Sequence, residues 1–192
     1  MENRLQMVRK YLEDNPSVDT IVAHSAGCLV ATLGLEIGLF KDQIKKVVLL
    51  NPAPLPGIQF TPFDAVYWAM FKYLGKLFFD RKIGLNHKDT MNLLSLSPTQ
   101  LQVLDGSFLP DRSEFVRDIV LGQFKFWRRN EKVINRHDVP VTILHMKGDQ
   151  MVGQTPLKTA RRFKNAELVQ MEGGHMDALI NFRQVVGNLI GK

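Results

Sequence analysis

The sequence predicts an α/β fold, a mostly parallel sheet flanked by helices and interrupted by a helical cap insertion, and three observations carry that prediction. The stretch "VDTIVAHSAGCLVATLGL" runs from an apolar strand through a tight turn of small residues into an apolar helix. A second apolar strand, "KVVLL", follows soon after, and strand, helix, strand at this spacing is a right-handed parallel crossover. The same alternation returns late in the chain, as "VPVTILHMKGD", "TPLKTARRF", "AELVQM" and "DALINFRQVVGNLI".

Each element has a local cause. Leu5, Val8 and Leu12 recur at helical spacing until Asn15-Pro16 stops the segment, so the chain opens with an amphipathic helix. Thr20 to Ala23 is a buried strand, and the small, apolar residues after Ser25 form a buried helix ending near Gly38. Lys46 to Leu50 is the second strand, closed by Asn51-Pro52. From Pro56 to Asp138 the pattern changes to aromatic-rich amphipathic segments such as "FDAVYWAMFKYLGKLFF", with polar turns between them. The predicted division is a core over residues 1–55, a helical cap or lid over 56–138, and a returning core over 139–192. In that last part a Thr-Pro cap starts one helix, and a single closing helix ends the chain.

Composition bounds the function. With 192 residues, 45% of them hydrophobic, the chain suffices for one domain with a real core. The net charge of +6 is spread over scattered pairs such as Lys45-Lys46 and Arg128-Arg129, without a basic stripe interleaved with aromatics, so no nucleic-acid partner is predicted. The single cysteine, Cys28, cannot close an internal disulfide. The first residues carry charges throughout and no apolar run, unlike a signal peptide or a membrane span, and the expected location is cytoplasmic.

The chemistry begins at Ser25, in Ala23-His24-Ser25-Ala26-Gly27. Between a strand and a helix, small neighbours let the backbone take a strained turn that lifts the hydroxyl clear of the sheet. The helix start then offers the Ala26 N–H and a positive dipole end to a developing oxyanion. The competing local reading is an ordinary helix N-cap serine. A serine needs a base, and the base an orienting acid. Asp149 lies in the loop after "VTILHM", and His175 lies in the loop after "ELVQM", behind two glycines. In a parallel sheet these loops share one edge with the serine turn. His24 is expected to pack beside the turn, His145 to be a satisfied core residue, and Glu172 to be a surface residue or a minor influence on His175. Asp138 and Asp177 are weaker acid candidates, since neither ends a strand.

Three motifs in this order make the sequence resemble the α/β-hydrolase superfamily. "AHSAG" is similar to the nucleophile elbow, with Ala23 in place of its first glycine; "ILHMKGDQMV" to the acid loop; and "EGGHM" to the histidine loop. The resemblance covers about Val18 to Ile190, and it implies Ser25 as nucleophile, His175 as general base and acid, and Asp149 as the group orienting His175. It also implies strands before the elbow and a second oxyanion donor, neither of which precedes Ser25 here, so an N-terminally truncated core is expected. The open strand edge this leaves is explained first by a fragment of a longer hydrolase, and otherwise by a second copy or partner that covers the edge or by a naturally reduced fold.

A serine nucleophile points to ester, thioester or amide cleavage through an acyl-enzyme, with no metal or organic cofactor. Phe63, Tyr67, Trp68 and Phe71 make the front of the cap bulky and apolar, as a lid over a lipophilic ester needs. With Lys72, Lys76, Arg81 and Lys82 the same stripe would also suit peripheral contact with an anionic membrane. The competing class is a catalytically weak or inactive interaction module of the same fold, or a fragment of a longer hydrolase.

Overall fold

In the computed structural model, residues 2–40, 42–55, 58, 100, 102, 133 and 135–190 are described. The expected cap falls almost wholly outside them, and Phe63, Tyr67, Trp68 and Phe71 with it.

Four strands, β1 (Thr20–His24), β2 (Lys46–Leu50), β3 (Val141–Met146) and β4 (Ala166–Met171), form a sheet in the order β1-β2-β3-β4. Every neighbouring pair is parallel. The described helices are α1 (Glu2–Asp14), α2 (Gly27–Ile37), α3 (Thr155–Ala160), α4 (Asp177–Ile180) and α5 (Phe182–Ile190). Sequential strand order with right-handed crossovers places α2 and α3 on the same face of the sheet.

The strands β2 and β3 are nearly continuous apolar runs because both of their faces are covered. Val47, Leu49, Val141 and Ile143 join Leu12 of α1, Cys28, Leu29 and Leu35 of α2, and Phe163 in one core. Their alternates Val48, Leu50, Leu144 and Met146 join Ala178 of α4 and Val185, Val186 and Leu189 of α5 in a second core on the opposite face. The period of two along a strand thus sorts one apolar run into two cores. Ile58 and Val133 are buried in the first core.

Polar side chains fasten the periphery. Asn15 ends α1 as expected, and the Gln43 amide sits among the carbonyls of Leu12, Asn15 and Val18, at 3.3, 2.9 and 3.1 Å. Lys46 Nζ donates to the Leu189 carbonyl, tying the end of α5 to the start of β2. Gly38, left-handed at φ 72°, caps α2 where the sequence places its end.

Two local expectations are corrected. The closing helix is two pieces, because Asn181 leaves the helical conformation (φ −101°, ψ 32°). Its N–H still bonds to the Asp177 carbonyl while its own carbonyl accepts from Gln184 and Val185, so one residue closes α4 and opens α5. Thr155 is the first residue of α3 and not its cap; Gln154 holds that position, without a side-chain capping bond.

Leu144 is fully buried in the second core. Leu144→Ala is expected to lower the unfolding free energy by about 2–5 kcal/mol, while Tyr11→Ala on exposed α1 stays within about 0.5 kcal/mol, as read by urea denaturation.

Candidate active site

The strand registers align His24 with Leu50, Leu50 with Leu144, and Met146 with Met171, so all four strands end along one edge. Ser25 is the first residue past β1. Its N–H still bonds to the Leu50 carbonyl at 3.0 Å, continuing the ladder by one step. The chain then turns sharply: Ser25 has φ 51°, a left-handed conformation that a residue with a Cβ adopts at a cost of about 1–3 kcal/mol.

The Ser25 carbonyl anchors the turn by accepting from Cys28 and Ala53, both at 3.1 Å. The N-cap of α2 is Ala26, with no side-chain capping bond, so Ser25 stands one position outside the capping site. Among the described residues the Ala26 N–H has no hydrogen-bond acceptor, and the Ser25 hydroxyl has no partner. A Cβ at Gly27 would lie 4.0 Å from that of Ala23, ordinary contact, which is why alanine is accommodated where the elbow motif has its first glycine.

Asp149 and His175 meet directly. His175 Nδ1 lies 2.7 Å from Asp149 Oδ2, and the residues are 1% and 2% exposed. The other carboxylate oxygen accepts from the N–H groups of Met151 and Val152, at 2.8 and 3.1 Å. Three donors therefore satisfy a carboxyl group that burial would otherwise penalise. Since a carboxylate only accepts, Nδ1 is the donor in this bond.

Glycine makes the loop approach feasible. A Cβ at Gly148 would come within 2.9 Å of the Gly173 carbonyl, and Gly173 itself takes φ 139°. Asp177 caps this loop by accepting from the Gly174 N–H, and its other oxygen accepts from Gln100 Nε2 at 2.7 Å.

Two further residues belong to the site. His24 does pack beside the turn, but it also bonds: its Nε2 donates to the His175 carbonyl at 2.8 Å, and the two rings lie 4.7 Å apart. Burial, then the proximity of His175, pushes the His24 pKa down from 6.5 to about 4. Asn51, first past β2 and left-handed at φ 43°, is fully buried. Its Oδ1 accepts from the Met146 N–H at 2.9 Å, and its Nδ2 donates to the His175 carbonyl at 3.1 Å. The signal for it was an amide residue, tolerant of left-handed backbone, directly after an apolar strand.

The remaining candidates stand apart from the pair. His145 is buried as expected, and desolvation holds its pKa down against the smaller opposing pulls of Asp149 and the Gly153 backbone. Glu172 pairs with Lys147 at 2.8 Å on the surface, and Asp138 is exposed. Cys28 Sγ faces the carbonyls of Ala23 and Leu50, and burial raises its pKa, so the thiol stays protonated and unreactive.

No protein-family model and no curated protein sequence matches the chain. Solved structures do. A monoacylglycerol lipase from Paleococcus ferrophilus superposes with a TM-score of 0.65 at 15% identity, over 98% of this chain and 74% of that one. An extracellular α/β-hydrolase from a Paenibacillus species gives 0.63 at 18%, over 97% and 76%. A bromoperoxidase from Bacillus anthracis gives 0.57 at 15%, over 97% and 71%. The fold of this chain is that of the α/β-hydrolases.

Two outcomes follow from this geometry. Ser25→Gly is expected to be more stable than Ser25→Ala by about 1 kcal/mol in denaturant titrations, since only glycine takes φ 51° without strain. For His24 the folded pKa of about 4 lies below the ordinary 6.5, so the unfolded chain binds the extra proton between them. Its contribution is complete above about pH 6.5 and is lost as the pH falls towards about 4. The difference in melting temperature between wild type and His24→Gln should shrink or reverse over that interval; a pH-independent difference would contradict it.

Proposed function

We propose that the protein is a serine hydrolase cleaving a carboxylic ester of a small or lipophilic substrate. The observation that carries this reading is the buried Asp149–His175 hydrogen bond at 2.7 Å, on the same sheet edge as a serine in left-handed backbone. The similarity to the monoacylglycerol lipase structure agrees with it.

In the proposed reaction Ser25 Oγ attacks the ester carbonyl carbon while His175 Nε2 takes the hydroxyl proton. The resulting imidazolium keeps its Nδ1–H on Asp149, and the negative oxygen of the tetrahedral intermediate faces the Ala26 N–H. Collapse expels the alcohol, which takes the proton from His175, and leaves the acyl group on Ser25. A water deprotonated by His175 then releases the acid and restores the serine. In free enzymes the serine–histidine bond is often long and tightens with substrate, so an unpartnered Ser25 hydroxyl is compatible with this sequence. The steps need no metal or organic cofactor. The lipophilic preference rests on the aromatic sequence around Phe63, Tyr67, Trp68 and Phe71, which lies outside the described residues.

A second reading is a binding module of the same fold. Met7 and Tyr11 of α1, 72% and 59% exposed, favour it, since with Val18 and Ile21 they line an apolar groove along β1. Among the described residues no helix is long and apolar enough to cross a membrane.

Fluorophosphonate labelling separates the two. The folded wild type is expected to label at one site, and Ser25→Ala and His175→Ala to abolish labelling. Asp149→Asn, which reverses the hydrogen-bond polarity at His175, should cut ester turnover by about 10⁴-fold. A folded wild type that does not label overturns the hydrolase reading.

A further inference from the structure

The His175 main chain is held as firmly as its ring. Its carbonyl accepts twice, from His24 Nε2 at 2.8 Å and from Asn51 Nδ2 at 3.1 Å, which fills both lone pairs of the oxygen. With the Asp149 bond to Nδ1, His175 is gripped by residues at or just past the ends of β1, β2 and β3. One of those grips comes from the residue covalently next to Ser25.

We propose that His24 is a positioning residue: its ring N–H, together with the Asn51 amide, holds the His175 carbonyl and so locks the base to the strand end that carries the nucleophile. This rests on the hydrolase reading for its catalytic consequence, though not for its geometry. The His175 loop contains Gly173 and Gly174, whose backbone freedom would otherwise let the base drift relative to Ser25. Asp149 fixes the tautomer and one direction of the ring, but it belongs to the β3 loop. The His24 bond is what connects the base to β1 itself, and the ring contact at 4.7 Å, tilted 50°, blocks rotation towards that strand.

A histidine suits this task better than a cation. Because burial keeps His24 uncharged at neutral pH, it donates a hydrogen bond without setting a second positive charge beside the imidazolium that forms on His175. A misplacement of about 1 Å between reacting groups costs on the order of 100-fold in rate, so a modest loosening is measurable.

Two substitutions separate hydrogen bond from bulk. His24→Phe keeps a ring and removes the N–H; His24→Gln keeps an N–H donor and removes the ring. On p-nitrophenyl butyrate, His24→Phe is expected to lower kcat by about 10- to 100-fold with KM within about twofold, and His24→Gln to stay within about threefold of wild type. Imidazole-proton NMR of the full chain supplies an activity-independent readout. A downfield Nδ1–H resonance of His175 is expected in wild type; it should broaden away in His24→Phe and persist in His24→Gln. Equal kcat and equal spectra for the two variants would overturn the proposal. If wild type shows the resonance but no turnover, the hydrolase reading fails, and the resonance in the variants still decides the positioning role. His24→Leu serves as the donor-free variant should His24→Phe not fold.

Discussion

The buried hydrogen bond between Asp149 and His175 is the constraint around which this edge of the sheet is arranged. Taking a carboxylate out of water costs several kcal/mol unless donors replace the lost hydration. Here the replacement comes from the Met151 and Val152 N–H groups and from the His175 ring, with Asp149 only 2% exposed. Those donors exist only if the loops after β3 and β4 touch. The contact of Gly148 with Gly173 and the Asp177 cap on the Gly174 N–H both serve that approach. Removing either partner would leave the other polar and buried without compensation, so packing and chemistry at this point depend on the same bond.

The parallel sheet turns that local bond into a site. Ser25 and Asn51 each extend the ladder by one residue, bonding to the carbonyls of Leu50 and Leu144 at 3.0 Å, and each then turns through a left-handed backbone. Two adjacent strands thus end with the same strained exit. At the first the turn presents a hydroxyl beside a helix start whose N–H is unclaimed among the described residues; at the second it aims a buried amide at Met146 and His175. Strain of about 1–3 kcal/mol per residue is sustained because both turns are pinned by backbone bonds and by the two cores.

Much of this was legible in the sequence. The strands β2, β3 and β4 lie where apolar runs between turn residues place them, β1 extends one residue further to His24, and Gly38 ends α2 as a left-handed cap should. These features follow from period and from local backbone preference, which act within a few residues. The errors lie where local rules compete. Asn181 interrupts a helix whose apolar spacing is continuous, since its backbone carbonyl serves two helices at once. Thr155-Pro156 reads as a cap and start, yet the threonine is buried inside the first turn. His145 sits in a strand and is buried, as expected.

By itself the sequence determined the α/β class, the succession of strands and helices along the chain, and a serine, an aspartate and a histidine placed after three of the strands. Side-chain period and turn chemistry are short-range, and a parallel sheet brings its strand ends to one edge whatever the details. Only the tertiary structure decided that Asp149 faces His175 at 2.7 Å, that Ser25 is left-handed, and that His24 and Asn51 grip the same carbonyl. Those depend on strand register and loop approach between residues up to 151 positions apart, a precision that no local pattern encodes.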